Sequence, residues 1–99
     1  IAPEYNGSYP GGFKAFLDGV KPQIWKGKKA ALVGVASGRA GNLRGLGHLT
    51  DVLHHLRIEV FSLQVPLSKI EGLLNEEHEL TDEATLKVLK AQAKEFLEF

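Results

Sequence analysis

The chain has 99 residues, 43% of them apolar, and its twelve Lys/Arg and twelve Asp/Glu give a formal net charge of zero, which suits one domain with a modest core. It has no cysteine, so disulfide and thiolate chemistry are excluded and a reducing, cytoplasmic setting is expected. No apolar run approaches the ~20 residues of a membrane helix, and a neutral chain whose Lys28-Lys29 pair lacks interleaved aromatics is not expected to bind nucleic acid.

Ile1 and Ala2 read as the last residues of a buried strand, because Pro3 has no N–H to donate and should stop the pairing. Asn6-Gly7 and Pro10-Gly11 then bend the chain. Phe13, Phe16, Leu17 and Val20 follow a helical spacing that begins near Pro10 and ends at Lys21-Pro22. Residues 22–27 read as a connector anchored by Ile24 and Trp25. The run Ala30-Ala31-Leu32-Val33-Gly34-Val35-Ala36 shows no alternation, which predicts a strand covered by helices on both faces.

Ser37-Gly38-Arg39-Ala40-Gly41-Asn42 comes next, and the spacing of Leu46, Leu49, Leu53 and Leu56 predicts a second helix from about Leu43. Gly45 and Gly47 weaken that helix unless they permit close packing. Residues 58–65 alternate in part, which predicts an edge strand closed by Pro66. Residues 67–80 read as irregular or briefly helical. Thr81 is the expected N-cap of a last helix, with Asp82 and Glu83 in its first turn and Leu86, Leu89, Ala93, Phe96 and Leu97 as its apolar stripe. Strand end, helix, strand, helix, strand, helix predicts an α/β fold: a parallel sheet with right-handed crossovers and helices on both faces, three layers in all.

The charge is unevenly spread. Residues 1–57 carry eight Lys/Arg against three Asp/Glu, and residues 58–99 carry four against nine. Both strand–loop–helix junctions lie in the basic half, an arrangement that suits an anionic ligand. No Gly-x4-Gly-Lys-Ser/Thr is present, and Gly38, Gly41, Gly45 and Gly47 do not form Gly-x-Gly-x-x-Gly. His48, Asp51 and His55 could share one helical face, but a structural zinc site needs a fourth ligand; a polar stripe is the simpler reading, and no metal is expected.

Pro3-Glu4-Tyr5-Asn6-Gly7-Ser8 with Pro10-Gly11 resembles the loop that packs against the flavin ring in the NADPH-dependent FMN reductase family, of flavodoxin-like fold. Ser37-Gly38-Arg39-Ala40-Gly41 resembles that family's second flavin loop. The resemblance implies that Pro3, Glu4, Tyr5, Asn6, Gly7, Ser37, Gly38, Arg39, Ala40 and Gly41 bind cofactor, largely through backbone atoms. It implies FMN and NAD(P)H as cofactors, with hydride passing from nicotinamide to flavin and on to a quinone, azo dye or free flavin. In this reading Gly38 and Gly41 let a ring approach the backbone. Arg39 meets either a dinucleotide phosphate or the charge of reduced flavin, or is simply a solvated loop arginine.

The family's phosphate-binding loop lies before the region resembled, and the chain opens with Ile1 and contains no methionine. Residues 1–99 are therefore expected to form a single partial domain, the C-terminal half of a flavodoxin-like flavin-binding domain. Its expected partners are an N-terminal half or identical chains, in a dimer or tetramer. Two other readings stand beside this one: a non-enzymatic flavodoxin-type electron carrier, and a fragment that binds no flavin.

Overall fold

A computed structural model describes all 99 residues. In chain order the elements are β1 (Ala2–Pro3), α1 (Gly11–Gly19), α2 (Pro22–Trp25), β2 (Lys29–Ala30), β3 (Val33–Val35), α3 (Leu43–His55), β4 (Glu59–Val60), β5 (Val65–Leu67), a 3-10 turn (Ile70–Leu73) and α4 (Glu83–Glu98). The strands are parallel, in the order β1-β3-β5, and β2 pairs with β4. The expected α/β alternation is present, and right at its centre the expected single strand over residues 30–36 is broken in two.

A register shift explains the break. Lys29 pairs with Glu59, an offset of 30, whereas Val33 pairs with Val65, an offset of 32. Two extra residues on the outer strand leave the Leu63 carbonyl without a backbone donor, and such a group needs one. Gln92 of α4 supplies it: its Nε2 donates to Leu63 O and also to Leu32 O, which already accepts from Val65 N–H, both at 2.9 Å. Gln92 is thus buried beside the stripe expected for α4, whose Ala93 is exposed and whose Leu97 is 88% exposed.

Both strand prolines sit inside strands rather than ending them. Pro3 pairs with Val35 and Pro66 with Gly34. Glu4 N–H donates to Val35 O at 2.8 Å and Val65 N–H donates to Leu32 O at 3.1 Å. Each proline nitrogen, one residue away, therefore faces outward, where no donor is required. The single strand expected over residues 58–65 is likewise broken, into β4 and β5, and its edge character is kept by both pieces: β4 pairs only with β2 and β5 only with β3.

Residues paired across a parallel sheet share a face. Ala2, Leu32 and Gly34 lie on one face, under α3, and the core there is Ala2, Leu17, Leu32, Leu46, Leu49, Leu53 and Ile58. Leu46 is wholly buried, and burial of such a side chain stabilises by roughly 1.5–3 kcal/mol. Val65 and Leu67 are buried on the opposite face, where α4 packs on β5. That face is covered only in part: Val33 and Val35 are half-buried and Ile1 is 87% exposed. The cover expected on both faces of residues 30–36 is thus complete on the α3 side alone.

Other expected anchors also differ. Trp25 is half-buried and its Nε1 donates to Leu17 O at 3.3 Å, whereas Ile24 points to solvent. Leu17 carries the buried stripe of α1, and Phe16 is exposed but stacks edge-on against Trp25. Gly45 packs directly on Asn42, whose Oδ1 would lie 2.0 Å from an added Cβ, while Gly47 faces open space.

The N-cap of α4 is Asp82, one residue later than Thr81, because Asp82 Oδ2 accepts from both Thr85 N–H (3.0 Å) and Thr85 Oγ1 (2.7 Å). These two bonds, the hydroxyl one foremost, hold the Asp82 carboxyl below its usual range. A depressed folded pKa means the capping stability is present above the unfolded value and lost as pH falls through the folded one. Asp82→Ala is therefore expected to lower the helicity of α4 at neutral pH and to blunt its loss in acid, read by circular dichroism. An unchanged acid profile would show that the cap contributes nothing.

Candidate functional site

Three loops leave the carboxyl ends of β1, β3 and β5 and so lie side by side along one edge of the sheet, the edge at which open parallel sheets bind ligands. The first spans residues 4–10. Tyr5 N–H donates to Ser8 O (2.8 Å) and Ser8 N–H donates to Tyr5 O (3.2 Å). Asn6 and Gly7 have positive φ of 51° and 81°, the backbone that two-residue hairpin turns favour and that Asn-Gly adopts readily. The first loop is thus a preformed tight turn. Its Glu4, Tyr5 and Asn6 are exposed, and Pro3 lies exposed at its base.

The second loop, residues 37–42, has a different design. None of its six backbone N–H groups donates to a protein acceptor. Ser37, Gly38, Arg39 and Ala40 are exposed, whereas Gly41 and Asn42 are buried. Lys69 N–H, from the third loop, donates to Gly38 O at 2.8 Å, and Ile70 N–H donates to Ala36 O at 3.1 Å. A trans peptide points its C=O and N–H in opposite directions, so the Arg39 N–H faces away from the third loop. Lys69 adopts φ 48°, unusual for a residue other than glycine.

The two glycines of this loop have different physical roles. A Cβ on Gly38 meets nothing within 4 Å; its surroundings are open. Gly41 has φ 59°, and a Cβ there would lie 2.7 Å from the Pro66 carbonyl carbon. Backbone packing alone therefore requires glycine at 41. Asn42 also has positive φ, and its Nδ2 donates to Ala2 O at 3.0 Å. It ties the second loop to β1, beneath the first loop. Asn42, Gly34 and Lys69 were not singled out from sequence. A left-handed Asn before a helix is a recognisable signal, but the contacts of Gly34 and Lys69 are purely tertiary.

The start of α3 completes the edge. Its N-terminus opens directly from the second loop, placing its positive dipole end there. Arg44 reaches back to the first loop, where its Nη1 would meet a Cβ on Gly7 at 3.2 Å. The only ion pair in the chain joins Lys14 to Asp18 (3.0 Å), so Arg39 and Arg44 have no carboxylate partner. No group of three metal-ligating side chains is assembled; His48 instead meets Ser8. No helix is long and apolar enough to cross a membrane. The edge is an open rim, and none of the five cavities is lined by residues 3–8 or 37–42.

The family model of NADPH-dependent FMN reductases matches residues 1–72, which include both loops and all of α3. This chain belongs to the NADPH-dependent FMN reductase family. Among solved structures, this member of the family is similar to FerB from Paracoccus denitrificans, a flavoenzyme NAD(P)H:(acceptor) oxidoreductase. The identity is 32% and the TM-score 0.77, over 99% of this chain and 57% of that one. The chain thus spans little more than half of that relative's length. No curated protein sequence matches it. The fold is flavodoxin-like, and the loops of this FMN reductase family chain occupy the sheet edge at which its sequence placed them.

Proposed function

We propose that this chain forms the ring-contacting rim of an NAD(P)H-dependent FMN oxidoreductase acting on a quinone, an azo compound or free flavin. The observation that carries the reading is the run of backbone N–H groups at residues 37–42 without acceptors, beside the turn of residues 5–8 with its exposed Tyr5 and Asn6. When bound, FMN would supply hydride acceptance from NAD(P)H and hydride delivery to the acceptor.

The chain's own contribution is binding and orientation. The N–H groups of Ser37, Gly38, Arg39, Ala40 and Gly41, at the mouth of α3, suit the electron-rich edge of a flavin ring. Pro3, Glu4, Tyr5, Asn6 and Gly7 supply the facing surface, and Gly38 leaves room for an approaching plane. Arg39 offers an uncompensated positive charge to a dinucleotide phosphate or to the ring as it gains electrons. A non-enzymatic electron carrier would favour an acidic surround; two unpaired arginines here favour the enzyme. The free edge of β1 and the apolar hollow of about 280 Å³ beside Phe13, Trp25 and Ala30 support further partners. These are an N-terminal half of the domain or identical copies, as a dimer or tetramer, in a cytoplasmic setting.

The test is an amide-resolved NMR titration of the 99-residue chain with FMN and, separately, with riboflavin. Both are expected to shift amides within residues 5–7 and 37–42, weakly and with similar affinity, because these loops address the ring rather than the phosphate. Absence of shifts at both loops overturns the reading. Micromolar or tighter FMN binding would place a phosphate cradle within this chain and overturn the assignment of its loops to the ring alone.

A further inference from the structure

We propose that His48 is a positioning residue that holds the turn of residues 5–8 in fixed register with residues 37–42, using α3 as the rigid connector. The inference rests on the flavin reading above for its purpose, but its geometry stands separately. His48 Nδ1 and Ser8 Oγ lie 2.8 Å apart across 40 residues of chain. This is the only side-chain hydrogen bond made by any residue from 4 to 10. The backbone anchors of the loop sit at its two ends, where Glu4 N–H donates to Val35 O and Phe13 N–H donates to Pro10 O. Between those hinges the turn closes on itself through Tyr5 and Ser8, so its internal bonds do not fix its angle to the sheet.

The imidazole does. Arg44 and His48 are four residues apart and thus neighbours on one face of α3; one lies against Gly7 and the other bonds Ser8. Because α3 begins where the second loop ends, a side chain fixed to its first two turns relates the two loops as one body. Asn42, bonded to Ala2 O, fixes the same helix to β1 from below. An open rim with no enclosing cavity has little else to set the spacing between its halves. The spacing of His48, Asp51 and His55 along the helix is thus accounted for at its first member by a tether to the turn.

Amide exchange on the 99-residue chain without ligand tests the tether directly. A net hydrogen bond of ordinary strength corresponds to about a 2–10-fold effect. His48→Ala and Ser8→Ala are each expected to lower protection of the Tyr5 amide by about that factor, with Leu49 and Leu53 amides unchanged as a check on folding. The double variant should fall no further, and His48→Asn, whose amide reaches the Nδ1 position, should restore protection. A riboflavin titration then reads the consequence: weaker loop-amide shifts in His48→Ala and recovery in His48→Asn. Equal Tyr5 protection in wild type and His48→Ala, or additive losses in the double variant, overturns the tether whatever riboflavin does. An intact tether with unchanged riboflavin affinity in His48→Ala overturns the positioning role. An intact tether in a chain that riboflavin does not shift at either loop overturns the flavin reading beneath it.

Discussion

Gly34→Ala is expected to cost about 3 kcal/mol or more of stability, at the upper end of what overpacking a core usually does. Gly34 lies in the middle strand, facing α3. A Cβ there would stand 2.3 Å from the Gly41 carbonyl oxygen and 3.2 Å from Leu46 Cδ1 and Cγ. Relief would require one of these to retreat. Leu46 is wholly buried, and Gly41 lies so near the Pro66–Leu67 backbone that an added Cβ would stand 2.7–2.8 Å from it. The strand, the loop and the edge strand therefore jam together, with no flexible chain end to yield. For a domain of about 100 residues, each kcal/mol moves the melting temperature by roughly 4–8 °C. A drop of about 12–24 °C in a thermal melt is the expected result. A melting point within about 2 °C of wild type would mean that the close approach is not a constraint.

Gly38→Val is expected to do the opposite. Its surroundings are open and its φ is not in the left-handed region, so stability should change by no more than about 0.5 kcal/mol. A branched side chain there would nevertheless occupy the space above the free amides of the second loop. Forcing a planar ligand past it should cost about 1–3 kcal/mol, a loss of roughly 5–150-fold in affinity for riboflavin or FMN. The same amide-resolved titration measures it. A collapse in melting temperature while the remaining folded protein binds as before would make Gly38 structural and remove the ring from this loop.

The pair of substitutions separates two meanings that one sequence motif conceals. In Ser37-Gly38-Arg39-Ala40-Gly41 both glycines look equally available to a ligand. The structure divides them: Gly41 is required by its φ of 59° and by the neighbouring Pro66–Leu67 backbone, and Gly38 by nothing within the chain. A glycine that the fold does not need is the better marker of something that approaches from outside. Similar reasoning applies to the first loop. The positive φ of Asn6 and Gly7 is local turn chemistry and was legible in the Asn-Gly pair, whereas its tether to His48 joins positions 40 apart in the chain.

The sequence by itself determined the alternation of strands and helices, the side of α3 that is buried, the edge position of the last strand and the placement of both loops at one end of the sheet. All of these follow from local quantities: apolar spacing along a helix, turn residues, and the rule that parallel strands deliver their loops to a common edge. Tertiary structure alone decided the register shift of two residues between residues 29–35 and 59–67, because pairing offsets are set between strands and leave no mark within either one. It also decided that α4 buries Gln92 rather than the neighbouring Ala93, since the Gln92 side chain answers the Leu63 carbonyl, left without a backbone donor by the shift 29 residues away. And it set which residues the prolines could occupy: inside a strand a proline is excluded only where its nitrogen faces a partner, and the nitrogens of Pro3 and Pro66 face outward.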